Sequence, residues 1–144
     1  MTVRAMHTED VETVARLESE IFTQPWSSQA FLESLNLGNT VFLVTEEDGK
    51  ITGYAGMYTA LDEGEITNVA VALAERGRGA GRMLIEEMKK EAERRNLARI
   101  VLEVRVSNYT AIRLYERCGF ASRGIRRDFY EKPRENAWVM VYGQ

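Results

Sequence analysis

Between Glu75 and Met88 the chain reads ERGRGAGRMLIEEM, with glycines at 77, 79 and 81, arginines at 76, 78 and 82, and then an unbroken helical pattern. Glycine inside a helix costs about 1 kcal/mol relative to alanine, so three at a helix start describe a backbone shaped for something other than helix stability. The preceding ITNVAV is a short β-branched strand, and Leu84, Ile85, Met88 and Ala92 fall on one face of a helix reaching about Asn96. Strand, glycine turn and helix commit this part of the chain to a layered α/β arrangement. They also gather unpaired N–H groups and the positive end of a helix dipole at one point, a setting that suits a phosphate or pyrophosphate. Without Cβ atoms an anion approaches the main chain closely; the alternative reading is a flexible basic turn. A dinucleotide fingerprint fails here, because the third glycine it needs is replaced by Arg82 or Leu84, and no Gly-Lys-Ser or Gly-Lys-Thr is present for a P-loop.

The flanking sequence extends the pattern. Thr8 is placed to cap a first helix with apolar positions Val11, Val14, Ala15, Leu17, Ile21 and Phe22. TQPWSS breaks it, Ser27 or Ser28 caps a short second helix carrying Phe31, Leu32 and Leu35, and Gly38 lies just beyond its end. VFLVTEEDGKITGYAGMYTA predicts two strands around an Asp48-Gly49 hairpin. After the glycine loop and its helix come a strand RIVLEVR, a helix NYTAIRLYERC, and two strands FASRGIRR and NAWVMVYG. The order predicted is two helices, a β-meander, then β-α-β-α-β-β, an α/β layer structure around a mixed sheet.

The 144 residues match one ordinary domain, so a single domain over 1–144 is expected to carry the whole function. With 19 basic and 22 acidic residues the net charge is −3, which gives no electrostatic footprint for nucleic acid. No apolar run is long enough for a membrane span and the first ten residues lack a signal-peptide core, which makes the cytoplasm the expected location. The single cysteine, Cys118, and single histidine, His7, argue against a disulfide and against a metal site.

RGRGAG, Arg76 to Gly81, resembles the R-x-x-G-x-G acyl-coenzyme-A signature of the GNAT superfamily of N-acetyltransferases, and SNYTAIRLYERCGF, Ser107 to Phe120, resembles that family's Asn…Ala…Tyr…Gly-Phe block. The resemblance implies a mixed, mostly antiparallel central sheet with helices on both faces and two splayed central strands at the cofactor site. It implies acetyl-CoA as cosubstrate, with no metal. Main-chain amides across Arg78, Gly79, Ala80, Gly81 and Arg82, beside Arg76 and Gly77, would hold the pyrophosphate. Backbone groups of Val69, Ala70 and Val71 would receive the pantetheine arm as an extra strand, with Asn108, Ala111 and Tyr115 along its other side.

Acetyl transfer from a thioester to an amine needs a neutral nucleophile, an acid for the departing thiolate and donors for the oxyanion. Glu103, on the strand face shared by Val101 and Arg105, is the candidate general base; a surface glutamate paired with Arg105 is the bland alternative. Tyr115 is placed by the resemblance as the acid, although its packing spacing with Ala111, Leu114 and Cys118 equally suits a core residue. Asn108 suits a helix cap as well as a coenzyme contact. Cys118 reads as a buried core cysteine.

A narrower resemblance, in QPWSSQAF, EVRVSNYTAIRLYERCGF and GIRRDFYEKPRENAWVM, is to the bacterial ribosomal-protein N-alpha-acetyltransferases. It implies that the acceptor is the terminal amine of a small-subunit ribosomal protein, with Trp26 and Tyr130 walling the peptide site beside Glu103. RENAW departs from that pattern, since Asn136 takes one of two positions where an acidic pair is expected. A small-molecule amine acetyltransferase and a non-catalytic acyl-coenzyme-A-binding module are the alternatives.

Overall fold

The computed structural model describes residues 1–143; Gln144, the last residue of the expected domain, lies outside them. Seven strands form one sheet: β1 (Thr2–Ala5), β2 (Thr40–Glu47), β3 (Lys50–Ala60), β4 (Glu63–Val71), β5 (Arg99–Arg105), β6 (Ala121–Tyr130) and β7 (Glu135–Gly143). Their spatial order is β1-β2-β3-β4-β5-β7-β6, and only the central β4–β5 pair is parallel. Among the described residues four α-helices complete the fold: α1 (Val11–Ile21), α2 (Ser28–Leu35), α3 (Ala80–Arg94) and α4 (Tyr109–Arg117).

Helices cover both faces. On one, Leu84, Ile85 and Met88 of α3 pack with Leu43, Ala55, Met57, Ile100, Leu102 and Met140, and Tyr115, Cys118 and Phe120 join from α4 and the turn after it. On the other, Val11 and Val14 of α1 and Phe31 of α2 enclose Phe42, Val44, Tyr54 and Ala70. Period-two alternation in β2 and β3 sends successive side chains to these two cores.

β4 breaks its own alternation. Met57 pairs with Ile66 and Gly56 with Asn68, so Thr67 is an extra residue with no partner, a β-bulge. Ile66 points to the α3 side, and without the bulge Ala70, four residues on, would too. Instead Ala70 joins the α1 side and Val69 the α3 side. The parallel pairing of β4 with β5 ends at the same place, at Ile66–Leu102, after which the two strands part.

Several expected local signals are realised. Asp48 and Gly49 take positive φ, 53° and 76°, at the β2–β3 turn. Ser27 caps α2 by accepting from the Ala30 N–H at 3.1 Å, and Asn108 caps α4 by accepting from Ala111 at 3.2 Å. Two expectations are corrected. A strand, β1, precedes the first helix and pairs along the outer edge of β2. A 3-10 turn over Thr8–Asp10 leads into α1, with the Asp10 carboxylate accepting from the His7 N–H at 2.7 Å, so Thr8 is no cap. Helix α2 ends at Leu35 with Asn36 as its C-cap, and Gly38 follows two residues beyond that cap, as expected.

Candidate active site

Where β4 and β5 part, a cavity of about 290 Å³ opens between them. Thr67, Asn68 and Val69 border it on one strand and Glu103, Val104 and Arg105 on the other. Tyr115 and Asn108 enter from α4, Glu18 from α1, and Trp26 and Tyr130 from the loop after α1 and the end of β6. The structure therefore brings Glu103, Tyr115, Asn108, Trp26 and Tyr130 together around one space, with Val69 at its edge.

Glu103 alternates with Leu102 and Val104, which lie in the α3-side core, so its carboxylate faces the side of α1. Only 11% of its side chain is exposed. Burial, reinforced by the nearby negative charge of Glu65, raises its pKa above the ordinary carboxylate value, while Arg126, whose Nε lies 4.0 Å away, acts weakly in the opposite sense. The expected alternative partner, Arg105, is engaged elsewhere. Its guanidinium lies over the Tyr130 ring at 4.3 Å and donates to the carbonyls of Pro133 (2.9 Å) and Glu131 (3.2 Å) and to Glu135 Oε1 (3.2 Å). Glu135 Oε2 in turn accepts from the Ser107 N–H at 2.9 Å, and Asn136 Oδ1 accepts from the Asp128 N–H, also at 2.9 Å.

Tyr115 is 7% exposed and belongs to the α3-side core, its ring 5.9 Å from that of Phe120. Burial raises its phenol pKa, so it remains protonated at neutral pH and serves as a donor. Tyr130 is pushed up to about 12 by burial and by the Glu103 carboxylate, and it too keeps its proton. Trp26 packs against Phe31 at a ring separation of 5.2 Å and against Phe42 at 6.4 Å, which fixes it as a wall of the cavity. Thr23 Oγ1 donates to the Lys132 carbonyl at 2.9 Å, so the loop after α1 is tied to the loop between β6 and β7.

The glycine loop lies where β4 hands over to α3. Gly77 and Gly79 have φ of 82° and 90°, and a Cβ at either would meet no atom within 4 Å, so it is the backbone conformation that requires glycine. Gly79 is the N-cap of α3 and brings no side-chain cap, which leaves the first-turn N–H groups without intrahelical partners. Gly81 is set by packing and not by φ: a Cβ there would lie 3.0 Å from the end of the Leu114 side chain, which would have to shift. The arginines are partly committed. Arg78 bonds Glu75 at 2.8 Å and Glu47 at 2.7 Å, and Arg76 Nε donates to the Val71 carbonyl at 3.2 Å, occupying one of the backbone groups expected to serve an incoming chain. Ala70 is buried in the α1-side core and Ala111 is partly buried on α4.

Cys118 is 1% exposed and burial raises its thiol pKa, so it is a core residue and no nucleophile. Glu18 is a buried charged cavity residue that sequence reasoning missed, as it missed Thr67 and Asn68. The available signal was its spacing: it falls on the apolar face of α1, seven residues after Val11 and four after Val14. No group of three or more potential metal ligands occurs among the described residues.

A parallel central pair that parts, with a glycine loop leading into a helix beside it, is the arrangement that the resemblance to the GNAT superfamily implies. Residues 11–120 match the acetyltransferase (GNAT) family, and the chain belongs to that family. It is an acetyl-CoA-dependent N-acetyltransferase of RimI-like type. It is 35% identical over 142 residues to the ribosomal protein bS18-alanine N-acetyltransferase of Escherichia coli, covering 97% of this chain and 95% of that one. It is 32% identical over 146 residues to N-alpha-acetyltransferase RimI of Mycobacterium tuberculosis, covering 97% and 90%. The crystal structure of the ribosomal-protein-S18-alanine N-acetyltransferase from Escherichia coli superposes with a TM-score of 0.90 at 33% identity, covering 99% of this chain and 92% of that one.

Proposed function

We propose that residues 1–144 form one GNAT domain that moves the acetyl group of acetyl-CoA onto the N-terminal α-amine of a protein, and that the acceptor is a small-subunit ribosomal protein beginning with alanine. The relatives named for acetylating ribosomal protein bS18 at alanine, matched over nearly their whole length, support the acceptor class. The observation that carries the chemistry is the meeting of Glu103 and Tyr115 at one cavity, a carboxylate of raised pKa on one face of the sheet and a protonated phenol from the other.

In this reading Glu103 takes a proton from the acceptor amine, directly or through a water, and Tyr115 gives one to the departing thiolate. The first-turn N–H groups from Gly79 to Arg82 and the dipole of α3 hold the pyrophosphate, and the edge of β4 that β5 vacates, Asn68 to Val71, receives the pantetheine arm. Asn108 and Ala111 flank it. Trp26 and Tyr130 wall the acceptor site.

Acceptor acidity agrees with this assignment. A terminal amine of pKa about 7.8 is roughly a tenth neutral at pH 7, whereas a lysine at about 10.4 is below ~0.1% neutral. A carboxylate base therefore suffices for the former and is poorly matched to the latter. The test is a panel incubated with acetyl-CoA: basic peptides with free or blocked N-termini, spermidine and free amino acids. Free-terminus peptides are expected to gain the acetyl group; acetylation of spermidine or amino acids alone would overturn the acceptor assignment.

A further inference from the structure

Glu18 stands where an apolar side chain would be expected on α1. It is 3% exposed, and it lies against Tyr54 of the α1-side core. Both carboxylate oxygens accept hydrogen bonds, Oε1 from the Tyr54 hydroxyl at 2.8 Å and Oε2 from the Trp26 N–H at 3.0 Å. Both donors are neutral. A carboxylate withdrawn from water among apolar groups is costly, and two neutral donors offset only part of that cost.

Glu18 also borders the cavity at the β4–β5 gap, together with Glu103 and Asn68. The bulge at Thr67 turns Asn68 to the α1 side, as it does Ala70, and alternation turns Glu103 the same way. Glu18 and Glu103 therefore border one space on the same side of the sheet, the side opposite the α3 core. The Trp26 wall is fixed to the first of them through its own backbone.

We propose that Glu18 is a binding residue for the cationic amine of the acceptor, holding the α-ammonium group as it docks beside Glu103. The proposal rests on the reading of the acceptor as a protein N-terminus. Glu18 supplies the countercharge for the form in which most of the amine arrives at neutral pH. Such a contact acts on the ground state, so it lowers KM for the acceptor and leaves turnover to Glu103 and Tyr115. It also gives the Tyr54 hydroxyl and the Trp26 N–H a purpose beyond packing, since together they aim the carboxylate.

The test is calorimetric binding, to the full chain saturated with coenzyme A, of an alanine-initiated peptide and of the same peptide with its α-amine replaced by hydrogen. The unmodified chain is expected to prefer the amine about tenfold, the scale of one charge-assisted contact. E18Q, close in shape, is expected to bind the two within about twofold of each other. Tyr54→Phe, which removes a hydrogen bond but not the charge, is expected to keep the preference. Equal binding or no binding of the two peptides by the unmodified chain, a preference retained in E18Q, or one lost as fully in Tyr54→Phe would each overturn the proposal. Parallel samples with acetyl-CoA separate this from the proposed function: an amine preference without acetyl transfer to the peptide contradicts that reading and leaves the Glu18 site standing.

Discussion

Glu103 and Tyr115 border one cavity from opposite faces of the central sheet, Glu103 from the α1 side of β5 and Tyr115 from the α3-side core. They meet because β4 and β5 stop pairing at Ile66 and Leu102. A continuous sheet would keep them apart. Replacing Glu103 with Gln or Tyr115 with Phe should lower kcat/KM by about 10²- to 10⁴-fold, the range of general acid–base catalysis. Coenzyme A affinity, measured by titration of each variant, should stay within about twofold, because neither group is assigned to the pyrophosphate.

The pH–rate profile should carry the signature of a carboxyl whose pKa is raised by burial and by Glu65. A base works when deprotonated, so the acid limb of kcat/KM should lie above the ordinary carboxylate value. Glu65→Gln removes a charge that raises the value and should move that limb to lower pH. Arg126→Ala removes one that lowers it and should move the limb upward, by less, since the Arg126 side chain is 59% exposed.

Gly79 and Gly81 are glycines for different reasons and should fail differently. Alanine at 79 must adopt φ of 90°, which costs about 1–2 kcal/mol and reshapes the loop. A raised KM for acetyl-CoA and a lowered melting temperature are expected together. Alanine at 81 presses on the end of the Leu114 side chain, which can yield, so its effect on melting should be smaller.

Arg105 holds the Tyr130 wall by stacking on its ring and tying down the carbonyls of Glu131 and Pro133. Arg105→Ala should raise KM for the acceptor several-fold while leaving acetyl-CoA KM unchanged. Arg105→Lys should not restore it, because an ammonium cannot stack and fork as a guanidinium does.

The Arg4 clasp ties the first strand to the rest of the fold through Asp10 at 2.8 Å and Glu46 at 3.2 Å. Arg4 holds the Asp10 carboxyl below its ordinary pKa. The sign follows: this stabilisation is present above the unfolded pKa and is lost as pH falls through the lowered folded value. Asp10→Asn should cost about 1 kcal/mol at pH 7, and the difference from the unmodified chain in denaturant melts should fade in acid.

The sequence carried the features that are local. Asp48-Gly49, the caps Ser27 and Asn108, and the glycine loop each follow from the conformational needs of a few adjacent residues, and Glu103 follows from period two in its strand. The misses are non-local. Four residues of β1 form a strand because β2 offers an open edge some forty residues away. Thr67 is β-branched and looks like regular strand, so nothing local marks the bulge that redirects Asn68, Val69 and Ala70. Arg105 prefers Glu135 and the Tyr130 ring to the nearby Glu103, a choice made only when β7 pairs beside β5. Glu18 was visible as a charge on an apolar helix face, but its partners Tyr54 and Trp26 were not.

The central claim is that the acetyl group goes to a protein N-terminus. Its most direct measurement is fragmentation mass spectrometry of an alanine-initiated peptide with internal lysines after incubation with the purified chain and acetyl-CoA. The account predicts one added acetyl group, located on the α-nitrogen of the first residue. An acetyl group found on lysine side chains with the α-amine unmodified would contradict it.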